Sequence, residues 1–255
     1  MEPKISYRIW FSQRCGSTIF CETLASTGIA GRPGELLGIF NDQSIQGKSK
    51  EATYKARRQK IWDIGSTPNG VFGVKHAYHF TYDNSMHEEL SRLTGTPKAA
   101  IHSEAFWADT FPNCKHIFMT RRNKYRQAVS WWKAIKDEIW HLKAGESHRH
   151  EAEFYEQNYV LPAFKTLLQG IMLKEAAAEA YFDRYQITPL SVVYEDFIRD
   201  PFAEIQRVVD YLEIPYTELK IGGFSLSKTS DELSEKWVQR LREDIQEDFS
   251  GGQVW

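Results

Sequence analysis

Cysteine is scarce in this chain. The three present, Cys15, Cys21 and Cys114, are odd in number and none forms a C-x-x-C pair. That excludes a disulfide framework and reads as reduced thiols in a cytoplasmic protein. A chain of 255 residues and 29.6 kDa also buries enough core to need no disulfide or metal staple. A phosphatase-type C-x₅-R reading fails, because the residue six after Cys15 is Cys21. Long apolar runs are absent: nothing approaches ~18 residues, so no membrane span is expected. No signal-type leader reads ahead of the first strand, so the expected localisation is cytoplasmic. An excess of one charge is missing as well. Thirty-two Lys and Arg against 34 Asp and Glu leave a net −2, and no basic field offers itself to a nucleic acid. His148 and His150 form a lone His-x-His with no third ligand, so no metal site is expected. With no repeat, low-complexity tract or convincing linker, residues 1–255 read as one domain.

What the chain does have is a concentrated signal near its start, Tyr7 to Thr18. The run Tyr7-Arg8-Ile9-Trp10-Phe11 reads as a buried strand. A polar loop follows, Ser12-Gln13-Arg14-Cys15-Gly16-Ser17-Thr18. Ile19, Phe20, Leu24 and Ala25 then recur at helical spacing, and Gly28 stops the helix. Strand, tight loop and helix start bring free backbone N–H groups and the positive end of a helix dipole to one point. Such a point binds phosphate or sulfate. Gly16 lets the backbone approach the anion, Ser17 and Thr18 add hydroxyl donors, and Arg14 adds a fixed charge. The loop is not a Walker A motif, since no Lys follows Gly16.

This loop resembles the 5′-phosphosulfate loop of sulfotransferases that use PAPS (3′-phosphoadenosine 5′-phosphosulfate). More closely, S-Q-R-C-G-S-T is similar to the S-Q-R-S-G-S-T form of the Stf0 family of bacterial carbohydrate sulfotransferases. Cys15 stands where that form has Ser, and reads as a small filler within the cofactor loop. Gly31-Arg32-Pro33-Gly34-Glu35 matches the family's G-x-P-x-E segment, which implies that Glu35 is the catalytic carboxylate. Taken alone, Glu35 reads as a surface charge, entering a buried segment, more readily than as a functional base. Thr67-Pro68-Asn69-Gly70, then Val71-Phe72-Gly73-Val74-Lys75, resembles a further family segment in which Lys75 matches a Lys. It reads as a turn and a second strand.

A third strand is expected at His116–Thr120. It is followed by Arg121-Arg122, by Asn123 as a helix cap, and by apolar positions Tyr125, Ala128, Val129, Trp132, Ile135 and Ile139 at helical steps. Ser130 lies eight residues after Arg122. This Arg…Ser pair resembles the 3′-phosphate motif of sulfotransferases; without that resemblance Ser130 reads as an ordinary helix serine. Leu190–Tyr194 reads as a fourth strand. Tyr194-Glu195-Asp196-Phe197, with Asp200-Pro201 opening a helix, is similar to the family's Y-E-D segment, where the Tyr borders the adenine pocket. Tyr194 reads equally as a core residue. The next helix, Pro201 to Leu212, is expected to bury Phe202, Ile205, Val208, Val209 and Leu212. In the late Gly- and Ser-containing stretch, Lys228 is the basic residue expected to close over the 3′-phosphate, with Arg240 and Lys236 as alternatives.

Alternating strands and helices predict an α/β protein, a central, mostly parallel sheet flanked by helices, and the resemblance implies the P-loop-like sulfotransferase kind. The resemblance implies in-line transfer of a sulfuryl group from PAPS, leaving PAP, with no metal. Arg14 and Glu35 would be catalytic, and Arg14, Cys15, Gly16, Ser17, Thr18, Arg122, Ser130, Tyr194 and Lys228 would bind the cofactor. The implied acceptor is a small molecule, a sugar or glycolipid hydroxyl, met by the loops Leu36–Ser66 and Trp140–Tyr159. A homodimer stays open. So do two rivals: an ATP-dependent P-loop-type kinase, and a non-catalytic nucleotide- or sugar-binding module of the same fold.

Overall fold

The computed structural model describes residues 2–77, 80–142, 152–223 and 232–250. Four strands form one sheet: β1 (Ile5–Phe11), β2 (Val71–His76), β3 (Cys114–Thr120) and β4 (Leu190–Val193). Their spatial order is β2-β1-β3-β4, and every pairing is parallel. Helix α1 (Ser17–Ser26) follows β1. Then come α2 (Lys50–Gly65), α3 (Phe80–Thr94), a short α4 (Glu104–Trp107), α5 (Lys124–Asp137), α6 (Ala152–Asn158) and α7 (Leu161–Tyr185). After β4 the chain forms α8 (Tyr194–Arg199), α9 (Pro201–Tyr211) and α10 (Glu232–Ser250).

The sheet is covered on both faces, which is why its strands read as nearly continuous apolar runs. Alternation along β1 sorts the side chains. Tyr7, Ile9 and Phe11 join Ile117, Met119 and Val192 under α1, α8 and α9, where Phe20, Leu24, Phe197, Ile205, Val208, Val209 and Leu212 are buried. Trp10 and Phe118 face the opposite way, against Ala178 and Phe182 of α7. Phe72 and Val74 of β2 pack with Tyr54, Ile61 and Trp62 of α2 and Met86, Leu90 and Leu93 of α3. A further cluster ties Val129 of α5 to Phe164 of α7 and to Trp237, Val238 and Leu241 of α10.

Buried Arg8 is paid no attention by the apolar pattern around it, and the fold meets its charge locally. Its guanidinium donates to Glu104 at 3.0 Å and to the Tyr181 hydroxyl at 3.2 Å, and lies 4.5 Å from the Trp10 ring centre. Three apolar positions depart from the expected helical faces. Ile135 and Phe202 lie exposed, and Ile139 falls beyond the end of α5 at Asp137. The helical face is continuous in sequence, but no neighbouring element covers its whole length.

His87 on α3 is buried against His102, with 4.3 Å between ring centres, and its Nδ1 has no hydrogen-bond partner among the described residues. Burial, then the neighbouring His102, holds its imidazole down at about 4, against a pull upward from Asp83. The unfolded chain binds that proton near 6.5. The neutral, buried form therefore contributes its full stability above about pH 6.5 and loses it as pH falls toward 4. Thermal unfolding is expected to show Tm declining through this window, by about 2–4 °C per kcal/mol lost. In His87→Leu that part of the decline should flatten. An unchanged slope would place the proton uptake elsewhere.

Candidate functional site: an anion loop at the sheet's switch point

The strand order reverses at β1. The chain moves outward to β2 on one side and to β3 and β4 on the other. In open parallel sheets ligands bind at the carboxyl ends of the strands where this reversal opens a crevice. The loop 12–16 leaves β1 at that point. Arg14 takes φ 63° and Gly16 φ 90°, and these two left-handed residues turn the chain sharply into α1. For Arg14 that conformation costs about 1–2 kcal/mol. Gly16 is required for a second reason: a Cβ there would lie 2.2 Å from Cδ2 of Tyr194. Gly16 is the N-cap of α1 and no side chain caps it, so the first turn presents its N–H groups outward.

A cavity of about 620 Å³ opens over this loop. Its wall includes Arg14, Gly16, Ser17 and Thr18 from the loop and α1, Glu35 and Lys75 from the β2 side, and Arg121, Arg126 and Ser130 around α5. Tyr194 closes it near α8, and Trp140, His141 and Leu142 line its other flank. Six of the residues read from the sequence thus meet in one place beside Glu35: Arg14, Gly16, Ser17, Thr18, Ser130 and Tyr194. Arg14 donates from Nε to Ser130 Oγ at 3.0 Å and from Nη1 to the Trp140 carbonyl. Burial, then the nearby Arg121, lowers the pKa of Arg14, and burial also lowers that of Arg121. A half-enclosed guanidinium whose charge is disfavoured by burial and by a neighbouring guanidinium makes a place where an anion is stabilising.

The loop's rear is fixed by a polar hub. Glu175 of α7 accepts from Ser12 Oγ at 3.0 Å, from Thr120 Oγ1 at 3.0 Å and from Lys124 Nζ at 2.6 Å. Gln127 of α5 donates to Ser12 Oγ and to the Gln13 carbonyl, both at 2.8 Å. The anion loop is thereby tied to β3, α5 and α7 at once.

Glu35 stands on the far side of the loop. Gly31 takes φ 75°, and a Cβ there would sit 3.0 Å from the Gly73 nitrogen. That close approach lets the segment 31–35 lie against β2, held by Arg32 N–H to the Gly65 carbonyl at 2.8 Å and Lys75 N–H to the Gly34 carbonyl at 2.9 Å. The Glu35 side chain is 68% exposed and Oε1 lies 3.2 Å from Lys75 Nζ. Lys75 in turn donates to Thr18 Oγ1 at 3.0 Å.

Three sequence assignments come out differently or lie elsewhere. Cys15 is fully buried in the core and takes no part in the wall; burial pushes its thiol up to about 11, so it is inert packing. Arg122 does not line the cavity. Its side chain is 62% exposed and its guanidinium donates to Asp196 at 2.8 Å. The strand-end arginine in the wall is Arg121, which donates to the Arg14 carbonyl at 3.3 Å and lies 4.8 Å from the Tyr194 ring centre. Its Nε is buried without a hydrogen bond among the described residues; the Glu195 carboxylate is 3.9 Å away. Successive side chains at a strand end point opposite ways, so the Arg-Arg pair signalled that one would turn inward but not which. Lys228 lies outside the described residues. The sequence reading missed Arg126 and Lys133, whose signal is visible only once α5 is folded against the loop, and named Trp140 and His141 only as the start of the loop expected to meet the acceptor. Burial, then Arg14 and Lys75, lowers the pKa of His141, so it stays neutral near pH 7.

A parallel sheet that presents an arginine-bearing anion loop, a helix N-terminus and an exposed carboxylate at its switch point is built to handle an anionic group. The chain belongs to the Stf0 sulphotransferase family, whose profile matches residues 6–244. It is a sulfotransferase by that membership. The trehalose 2-sulfotransferase of Mycolicibacterium smegmatis is 26% identical to it, over 95% of this chain and 96% of that protein. The trehalose 2-sulfotransferase of Mycobacterium tuberculosis is 24% identical, over 92% and 94%. Among solved structures, a sulfotransferase from Alicyclobacillus acidocaldarius aligns over 98% of this chain and 95% of that one, at 17% identity and a TM-score of 0.48. Among the described residues no helix is long and apolar enough to cross a membrane. No three of His, Cys, Asp and Glu converge there as ligands of a metal ion.

Proposed function

We propose that this protein transfers a sulfuryl group from PAPS to a hydroxyl of a small carbohydrate acceptor. The observation that carries the reading is the chain Glu35–Lys75–Thr18, with contacts of 3.2 and 3.0 Å, which joins an exposed carboxylate to the anion loop across the cavity floor. A base and an anion cradle within one side chain's reach suit transfer from a bound anion to a solvent-delivered acceptor. The donor set fits PAPS: loop N–H groups and Arg14 for the 5′-phosphosulfate, and Arg121, Arg126 and Ser130 for further phosphate charge. Arg121 Nε makes no hydrogen bond among the described residues and its ion pair with Glu195 is long, at 3.9 Å, so the guanidinium keeps charge to offer an anion. Tyr194 offers a ring face beside them. Bound there, PAPS supplies the sulfuryl group. Glu35 takes the proton from the acceptor hydroxyl. Arg14 and the first turn of α1 hold the negative charge that grows on the departing phosphate. The names of the two relatives favour a sugar acceptor. Trp140 on the cavity's flank suits one, with a broad apolar face for a sugar ring.

The test is a product screen. The protein, PAPS and a mixture of sugars and glycolipids are incubated and analysed by mass spectrometry. A sulfated sugar that forms only with PAPS is expected. Phosphorylated product from ATP and Mg²⁺ instead would overturn the reading in favour of a kinase, and saturable PAP binding with no product from any acceptor would favour a binding module.

A further inference from the structure

We propose that Glu235 is a built-in competitor of the nucleotide: its carboxylate holds Arg126 in the free protein, and the second phosphate of the ligand displaces it. The inference deepens the reading of PAPS as donor and rests on it. Its ground is an acidic side chain in the wall of a cavity made for anions. Glu235 of α10 and Arg126 of α5 both line that cavity. Arg126 donates from Nε at 3.1 Å and from Nη2 at 2.7 Å, both to Oε2 of Glu235. Glu195, the other carboxylate on this side of the wall, is fixed differently. It accepts from the backbone N–H groups of Arg122 at 2.9 Å and Asn123 at 3.1 Å, and so belongs to the turn that enters α5. Glu235 is bound through one oxygen, to a side chain that can turn away.

The placement of the pair explains why a competitor is needed and why it yields. Arg126 sits in the first turn of α5, its N–H bonded to the Asn123 cap at 2.9 Å. A cation there meets the positive end of the helix dipole and is disfavoured unless an anion is near. Arg121 adds a second guanidinium to the same wall. Glu235 supplies the negative group from the first turn of α10, where its own helix dipole favours a carboxylate. The two side chains are 48% and 44% exposed, and a pair so open to water is weak. A phosphate, with more charge and three acceptor oxygens, is the stronger partner for a guanidinium. The helices stay together when the pair opens, because Val129 of α5 packs with Trp237, Val238 and Leu241 of α10. PAPS and PAP carry the same 3′-phosphate, so every contact to it holds product as firmly as donor. A carboxylate that contests one of those contacts limits how tightly the product is kept.

The experiment is a double-mutant cycle read by PAP calorimetry. Affinities are measured for the parent, Glu235→Gln, Arg126→Ala and the double variant, with thermal unfolding as the control for folding. Glu235→Gln should bind PAP about three- to tenfold more tightly than the parent, and Glu235→Ala should do the same. Arg126→Ala should bind about tenfold or more weakly. In the double variant the gain should vanish, leaving the affinity of Arg126→Ala, because the competitor acts through this arginine. A gain of the same size in the double variant would overturn the proposal: Glu235 would then be a general negative charge that repels the nucleotide. Unchanged or weaker PAP binding in folded Glu235→Gln and Glu235→Ala would overturn it too, and make the ion pair a brace for the wall. A parent that does not bind PAP would overturn the donor assignment, a result distinct from either.

Discussion

Glu35→Gln is expected to lose turnover by about 10²–10⁴-fold, the usual contribution of a general base. The substitution keeps nearly the same shape but cannot take the acceptor's proton. The loss should fall on the rate and leave PAP affinity intact, since Glu35 reaches the anion loop only through Lys75. Steady-state kinetics with the true acceptor, together with PAP calorimetry, separates the two. Glu22 is the control. It lies exposed on α1, five residues past Ser17. Full turnover in Glu35→Gln with loss in Glu22→Gln would name the other carboxylate. If neither changes the rate, the proton leaves by another route, and neutral His141 in the cavity wall is the next group to replace.

Arg121→Ala is expected to weaken PAP binding strongly, by about 2–5 kcal/mol or roughly 30- to several-thousand-fold. Its guanidinium is set in the wall, with an Nε that makes no hydrogen bond among the described residues and only a long ion pair to Glu195, at 3.9 Å. Arg122→Ala should cost far less, about 1 kcal/mol or under, because its exposed charge is already paired with Asp196. The comparison is made by calorimetry with PAP and with adenosine 5′-phosphosulfate, which lacks the 3′-phosphate. The reverse order of losses would mean that Arg122 leaves Asp196 to reach the nucleotide, as the Arg…Ser resemblance implies. Equal losses for both ligands in Arg121→Ala would place its contact on the 5′ side.

Much of the framework was legible in the sequence because each strand announces itself. β1, β2, β3 and β4 are short apolar runs bounded by turn or cap residues, and burial on both faces of a parallel sheet produces that pattern. The loop was legible because its chemistry is local: Arg14, Gly16, Ser17 and Thr18 are neighbours in sequence and in space. The partner of Glu35 was not. Lys75 stands forty residues away, and only the bond between its N–H and the Gly34 carbonyl, made as β2 pairs with β1, brings them together. The side of the Arg121–Arg122 pair depends on where β3 stops, and strand ends are poorly fixed by pattern. Ile135 and Phe202 show the same limit on helices: an apolar face records what could be buried, and the tertiary neighbours decide what is.

The central claim is that this cavity is shaped for PAPS, and a comparison of its affinities for two nucleotides tests it most directly. PAP and ATP with Mg²⁺ are titrated separately into the protein by calorimetry, at the same ionic strength. The account predicts one saturable site for PAP, tighter than ATP–Mg²⁺ by about tenfold or more, and weakened in Arg121→Ala. Tighter binding of ATP–Mg²⁺, or PAP binding indifferent to Arg121→Ala and Arg14→Ala alike, would contradict it.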